Sequence, residues 1–316
     1  MHEIIMIEPS ISLETIGQIY KMISEIKSFE NSRINVIEIL HGGITNNNYK
    51  VTIDDETYAV RLAGVGTIEY INRPAEKHNA QVMADMGISA LIINYDETTG
   101  NQVCKYIEDS KTLHGEDFQD KKYLSMAASV FRNYHDGKIE FISDFKPLQE
   151  IDSYVNLLAE KKFEFYEGAE LMEEKVAEIR ELFKNNPPPT VPCHNDPLPV
   201  NWLDDKKNFY LIDWEYAGMN DPMFDIAALS IEAELSSERE HFLLQQYFGG
   251  EPTEKQLGSL IINKFLCDVL WAYWSILQIA MGKPKEYYWD YGLNRFNRAY
   301  ALIHNGSLDR SIKANR

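Results

Sequence analysis

Two short segments hold the residues with the clearest chemical purpose. The first is Cys193-His194-Asn195-Asp196-Pro197-Leu198-Pro199-Val200-Asn201, and the second is Asn208-Phe209-Tyr210-Leu211-Ile212-Asp213-Trp214-Glu215. Together they read H-x-D-x-x-x-x-N followed by an aspartate at the end of an apolar run. Phosphoryl transfer asks little covalent chemistry of a protein: a carboxylate that takes or orients the acceptor hydroxyl, and oxygen ligands that hold Mg²⁺ against the phosphates. Asp196 suits the first role, and Asn201 and Asp213 suit the second. A polar turn followed by a surface strand end is the competing reading, but two matched elements in order weigh more than either alone.

The spacing is that of a kinase catalytic loop, in which the Asp is the base and the Asn five positions on binds metal, with Asp213 in the place of the second metal-binding aspartate. Such a site also needs a cation that reaches the phosphates and an acid on the following helix. Arg61, on the second strand of an expected hairpin, and Glu76, at the start of the next helix, stand in those places. Each taken singly reads as a solvated surface charge, and their position relative to the motif is what singles them out. The turn His41-Gly42-Gly43-Ile44-Thr45-Asn46-Asn47-Asn48 precedes the hairpin, where a phosphate-covering loop belongs. It is not G-x-G-x-x-G, yet Thr45, Asn46 and Asn47 offer hydroxyl and amide donors beside backbone N–H groups. Tyr106, near the end of a second hairpin, completes the residues expected to bind the nucleotide.

The elements that must position these residues change character near residue 107. Before it, Ile16, Ile19, Tyr20, Ile23 and Ile26 follow helical spacing. Tyr49–Ile53 and Tyr58–Leu62 flank the polar turn Asp54-Asp55-Glu56-Thr57 as a hairpin, a helix is expected from about Pro74 to Met86 with Gly87 as its stop, and Leu91–Tyr95 and Gln102–Ile107 form a second hairpin. After it, Lys121–His135, Gln149–Lys161 and Ala169–Asn185 read as helices, the last stopped by Pro187-Pro188-Pro189. The expected organisation is α+β: a nucleotide-binding lobe over 1–107, a small antiparallel sheet with a helix, and a larger, mainly helical catalytic and substrate-binding lobe over 108–316.

The length of 316 residues suits about two domains, and 44% hydrophobic content can fill their cores. A formal net charge of −18 argues against general affinity for nucleic acid or an anionic membrane, so a phosphate ligand must arrive with Mg²⁺ and meet a local cation. Cys104, Cys193 and Cys267 are too scattered for a disulfide framework or a CxxC metal site. The N-terminus has an acid where a signal peptide has basic residues, and the longest apolar stretch, Val269 to Met281, is shorter than the ~18 residues that span a bilayer. A cytoplasmic protein with Val269–Met281 in a buried helix is expected.

These residues resemble the choline/ethanolamine kinase family, including its bacterial branch, within the aminoglycoside phosphotransferase-like kinases. The resemblance runs from about Gly42 to Tyr291 and rests on Arg61, His194-Asn195-Asp196 and Asp213-Trp214-Glu215-Tyr216. It implies a protein-kinase-like two-lobed fold, ATP and Mg²⁺ as cofactors, and a small-molecule acceptor, choline or a related amino alcohol, as the partner, with a homodimer among the assemblies to test. Leu270-Trp271-Ala272-Tyr273-Trp274-Ser275 is similar to the family's choline-pocket motif. A quaternary ammonium donates no hydrogen bonds, so aromatic faces and a nearby carboxylate recognise it. Trp271 and Trp274 share a helical face, and the resemblance adds Tyr216, Glu232 and Tyr291. Core packing is the ordinary reading of such an aromatic pair. Ethanolamine, thiamine or an aminoglycoside is the alternative acceptor. An inactive kinase-like binding module, the reading from a different class, would have lost the base or the metal ligands, which this sequence retains.

Overall fold

The computed structural model describes residues 6–41, 46–64, 67, 71–136 and 138–316. In chain order the elements are β1 (Met6–Ile7), α1 (Leu13–Ser24), β2 (Ile34–Leu40), β3 (Asn47–Ile53), β4 (Glu56–Leu62), α2 (Arg73–Asp85), β5 (Ile92–Tyr95), β6 (Gln102–Lys105) and β7 (Lys111–Thr112). There follow α3 (Lys121–His135), α4 (Pro147–Glu160), α5 (Ala169–Asn185), β8 (Val191–Cys193), β9 (Trp202–Asp204), β10 (Phe209–Leu211) and β11 (Gly218–Asn220). The chain ends in α6 (Pro222–Glu232), α7 (Ser237–Phe248), α8 (Glu254–Ala280), α9 (Lys285–His304) and α10 (Ser307–Asn315). These form two compact units, Met1–Leu113 with Val200–Tyr216, and His114–Pro199 with Ala217–Arg316. Where the sequence suggests one division after residue 107, the first unit also takes in the later segment that carries Asn201 and Asp213.

The first unit is built on a six-stranded sheet in the order β1-β2-β3-β4-β6-β5, antiparallel except for the β1–β2 pair. Strands β3 and β4 meet at Asp54-Asp55, with Ile53 opposite Glu56 and Asp54 at φ 53°. Glu56 and Thr57 therefore lie within the strand, not in the turn expected for them. Alternation turns Tyr49, Val51, Ile53, Tyr58, Val60 and Leu62 toward one buried core with Ile19, Met22 and Ile23 of α1. The same alternation puts Arg61 on the opposite face. Strand β2 was not anticipated, although Ile34-Asn35-Val36-Ile37-Glu38-Ile39-Leu40 is rich in β-branched residues. Helix α2 starts at Asn72, whose side chain accepts from Ala75 N, has Pro74 and Glu76 in its first turn, and stops before Gly87 at φ 71°. A three-stranded sheet, β10-β9-β7, completes the unit and uses residues just after the expected break at 107.

The second unit is mainly helical, with one antiparallel pair, β8–β11. Helix α8 is its centre, packed against α4, α6, α9 and α10. It runs 27 residues, well beyond the apolar stretch seen in the sequence, and is by length and composition apolar enough to cross a membrane. The most apolar window is 89% buried within the protein, so packing uses that surface. Helix α9 approaches α8 closely because Gly292 faces Ser275 and Tyr166 where no Cβ would fit.

Candidate active site

In the first unit Arg61 is the hub. Its Nη2 donates to Glu76 Oε1 at 2.5 Å and to the Gly100 carbonyl at 2.9 Å, and Nη1 reaches Asp213 Oδ1 at 3.4 Å. Gly100 sits at φ 82° with the Arg73 guanidinium packed where a Cβ would project, so the turn needs glycine. Arg73, which the sequence reading passed over, donates to the other Glu76 oxygen at 2.5 Å and lies 3.6 Å from Glu215, while Tyr95 also donates to Glu76. Burial opposes the charge on Arg61, but Glu76 first, then Asp213 and Glu215, outweigh it and raise its pKa. Burial would likewise raise the Glu76 carboxyl, and Arg61 and Arg73 hold it low instead. Asn46 donates to Glu215 at 3.0 Å and accepts from Gly64 N at 3.2 Å. Asn47 is exposed at the start of β3, and Lys50 Nζ sits 4.7 Å from the Tyr106 ring centre. Thr45 lies outside the described residues.

Asn201 and Asp213 share this unit, joined through the backbone bond from Ile212 N to Asn201 O at 2.9 Å. Asp213 adopts φ 69°, a left-handed conformation that Asp tolerates better than bulky residues and that recurs at functional turns. An amide and a carboxylate oxygen are the hard donors Mg²⁺ prefers, and the Asp213 side chain is 35% exposed, so the donor set fits that ion. Tyr216 is half-buried at the end of the same segment.

The second unit carries His194-Asn195-Asp196 directly after β8. The wholly buried Asp225, in the first turn of α6, holds this loop: it accepts from His194 N at 2.9 Å, Asn195 N at 2.6 Å and the Tyr134 hydroxyl at 2.7 Å, and faces His135 Nε2 at 3.1 Å. Burial alone would raise the Asp225 carboxyl, but His135, His194 and Tyr134 together keep it below the ordinary range. Asn195 sits at φ 68°, and its side-chain Oδ1 accepts from Asn220 Nδ2 at 2.8 Å. Asp196 N donates to His194 Nδ1 at 3.2 Å. The loop backbone is thus fixed at both residues preceding Asp196. His135, Cys193 and Asp225 bring metal-ligating atoms within 4.8 Å of one another. Asp225, however, is already engaged by these donors, and burial raises the Cys193 thiol well above its ordinary value, which disfavours a thiolate ligand.

Trp271 and Trp274 meet edge to face, ring centres 5.8 Å apart, and Trp274 also contacts Tyr288 at 5.8 Å and Tyr291 at 6.1 Å. Tyr288 had not been foreseen in this cluster. Burial, reinforced by the Glu232 and Asp196 carboxylates and opposed by Arg295, raises the Tyr291 hydroxyl, which places the field of Asp196 at the aromatic cluster. Glu232 has a partner the sequence reading did not find: Arg295 Nη1 lies 2.7 Å from its Oε1. Its only sequence signal was a four-residue step from Tyr291 along one helix face.

Solved structures of the same architecture include a choline/ethanolamine kinase family protein from Mesorhizobium loti, with a TM-score of 0.84 at 29% identity, covering 95% of this chain and 99% of that one. Choline kinase LicA from Streptococcus pneumoniae aligns with a TM-score of 0.78 at 30% identity over 91% of this chain and 99% of its own, and LicA has also been solved in complex with AMP. Fold and site together define an ATP-dependent small-molecule kinase of the protein-kinase-like class. Protein LicA from Haemophilus influenzae is 31% identical over 267 residues, 82% of this chain and 98% of its own. With the choline/ethanolamine kinase sequence model matching residues 37–243, the chain belongs to the choline/ethanolamine kinase family.

Proposed function

We propose that this enzyme transfers the γ-phosphate of ATP to the hydroxyl of choline, giving phosphocholine and ADP, with ethanolamine as the close alternative acceptor. The observation that carries the reading is the buried Arg61–Glu76 pair with Arg61 Nη1 turned to Asp213, an arrangement suited to a cation on the phosphates beside a carboxylate on the metal. In this reading residues 1–107 serve the nucleotide, with Arg61, Glu76, Asn46, Asn47, Tyr106 and Thr45 as its contacts, and residues 108–316 serve the acceptor and the chemistry. Asn201 and Asp213 would hold Mg²⁺, which when bound offsets negative charge on the phosphates. Arg61 steadies those phosphates, and Glu76 holds Arg61 in place. Asp196 takes the hydroxyl proton from a loop that Asp225 keeps rigid. Trp271, Trp274, Tyr291 and Tyr216 present ring faces to the trimethylammonium group, and Glu232 stands at the edge of that cluster.

The net charge of −18 and the buried apolar surface of α8 support action on a small molecule over a nucleic-acid or membrane partner, and a cytoplasmic location is part of the same proposal. Sedimentation tests the homodimer. The test of function is ADP release with Mg-ATP across choline, ethanolamine and thiamine, with single-turnover comparison of Asp196→Ala against the parent. Loss of a general base is expected to slow phosphorylation by about 10²–10⁴-fold. An equal rate removes Asp196 from the chemistry, and no choline turnover removes choline as the acceptor.

A further inference from the structure

Arg295 is 4% exposed, and its guanidinium lies 4.3 Å over the Tyr291 ring, 2.7 Å from Glu232 Oε1 and 3.8 Å from Asp268 Oδ1. Asp268 is also held by Arg298, whose Nη2 is 2.5 Å from Oδ1. Glu232 of α6 and Asp268 of α8 are therefore each faced by an arginine of α9, and Arg298 Nη2 also lies 3.9 Å from Glu232 Oε1. A cationic guanidinium already covers one ring face and one carboxylate oxygen at the place where an ammonium ligand would be drawn.

We propose that Arg295 is a positioning residue that sets acceptor selectivity, engaging Glu232 so that a primary ammonium finds its Oε1 already occupied beside the aromatic cluster. The inference rests on the acceptor reading given above. Choline has no N–H donors and loses nothing when Glu232 is occupied, because ring faces suffice for it. The ammonium of ethanolamine has three N–H donors, which lose water on binding and need acceptors in return. At Glu232 it also meets the guanidinium charge. Arg295 thus discriminates by withholding a partner from the smaller cation.

The test compares kcat/KM, at saturating Mg-ATP, for ethanolamine, N-methylethanolamine, N,N-dimethylethanolamine and choline in the full-length parent and in Arg295→Met. In the parent kcat/KM rises as N–H donors are removed. In Arg295→Met the choline-to-ethanolamine ratio falls by about tenfold, mainly through a lower KM for ethanolamine, as expected for one charge-assisted hydrogen bond regained. A ratio of two acceptors on one preparation cancels the active fraction, so partial unfolding does not move it. Should Arg295→Met not fold, Arg295→Gln is read the same way with a fall of at least about threefold. A parent series that is flat or falls with methylation overturns the inference without any variant, and so does an unchanged ratio in a folded variant. A parent that does not phosphorylate choline refutes the underlying reading instead.

Discussion

Glu215 lies among two other carboxylates, Asp213 and Glu76, and two guanidiniums, Arg61 and Arg73. Burial first, then repulsion from Asp213, pushes its carboxyl up to about 7 from an ordinary 4.5. A carboxyl raised in this way binds its proton more tightly in the folded state than in the unfolded one. Its contribution to stability is therefore greatest below about 4.5, is lost as pH rises toward about 7, and is level above that. Glu215→Gln removes this term and keeps an acceptor for Asn46. The stability of the variant relative to the parent is expected to grow by about 1–3 kcal/mol between pH 5 and pH 8. Urea titrations in EDTA at the two pH values measure it, and a constant difference would place the raised ionisation elsewhere.

Helices α8 and α9 carry the aromatic cluster and its arginine, so their separation sets the geometry of that cluster. Gly292 controls that separation: an added Cβ would collide with the Ser275 and Tyr166 hydroxyls, which bond to each other at 3.1 Å. Gly292→Ala is expected to destabilise by about 1–3 kcal/mol through overpacking. Gly17, exposed on α1 with nothing near the added methyl, supplies the contrast. Gly17→Ala should be neutral or stabilising by up to about 1 kcal/mol from helix propensity alone. Denaturant midpoints for the pair check the argument, and equal effects would show that the helix contact is not tight.

A molecule with net charge −18 repels an ATP anion at long range, so on the proposed reading nucleotide binding is expected to need Mg²⁺ and the fixed cations Arg61 and Arg73. Mg-ATP at about 100 times its Kd should raise the free energy of unfolding by about 2.7 kcal/mol, whereas ATP in EDTA should raise it far less. Thermal melts in the two conditions measure the difference. Equal shifts would mean that the metal has no part in nucleotide binding.

Local signals in the sequence determined the hairpins and the helices α3 and α5 to the residue, and picked out the H-x-D-x-x-x-x-N spacing, because periodicity, caps and short spacings act over a few neighbours. They also gave Arg61 a partner in Glu76, fifteen residues away across one strand–helix connection. The family resemblance also implies Asp225 as the residue that holds the loop, and His194 N and Asn195 N do donate to it, whereas only the tertiary structure brought Arg73 to Glu76 and Glu215 and set Arg295 against Glu232. Tertiary pairing likewise placed β2 inside a sheet and gathered Val200–Tyr216 with the first unit. These contacts depend on which buried charges must find a counter-charge once water is excluded, a condition that exists only after distant segments have packed.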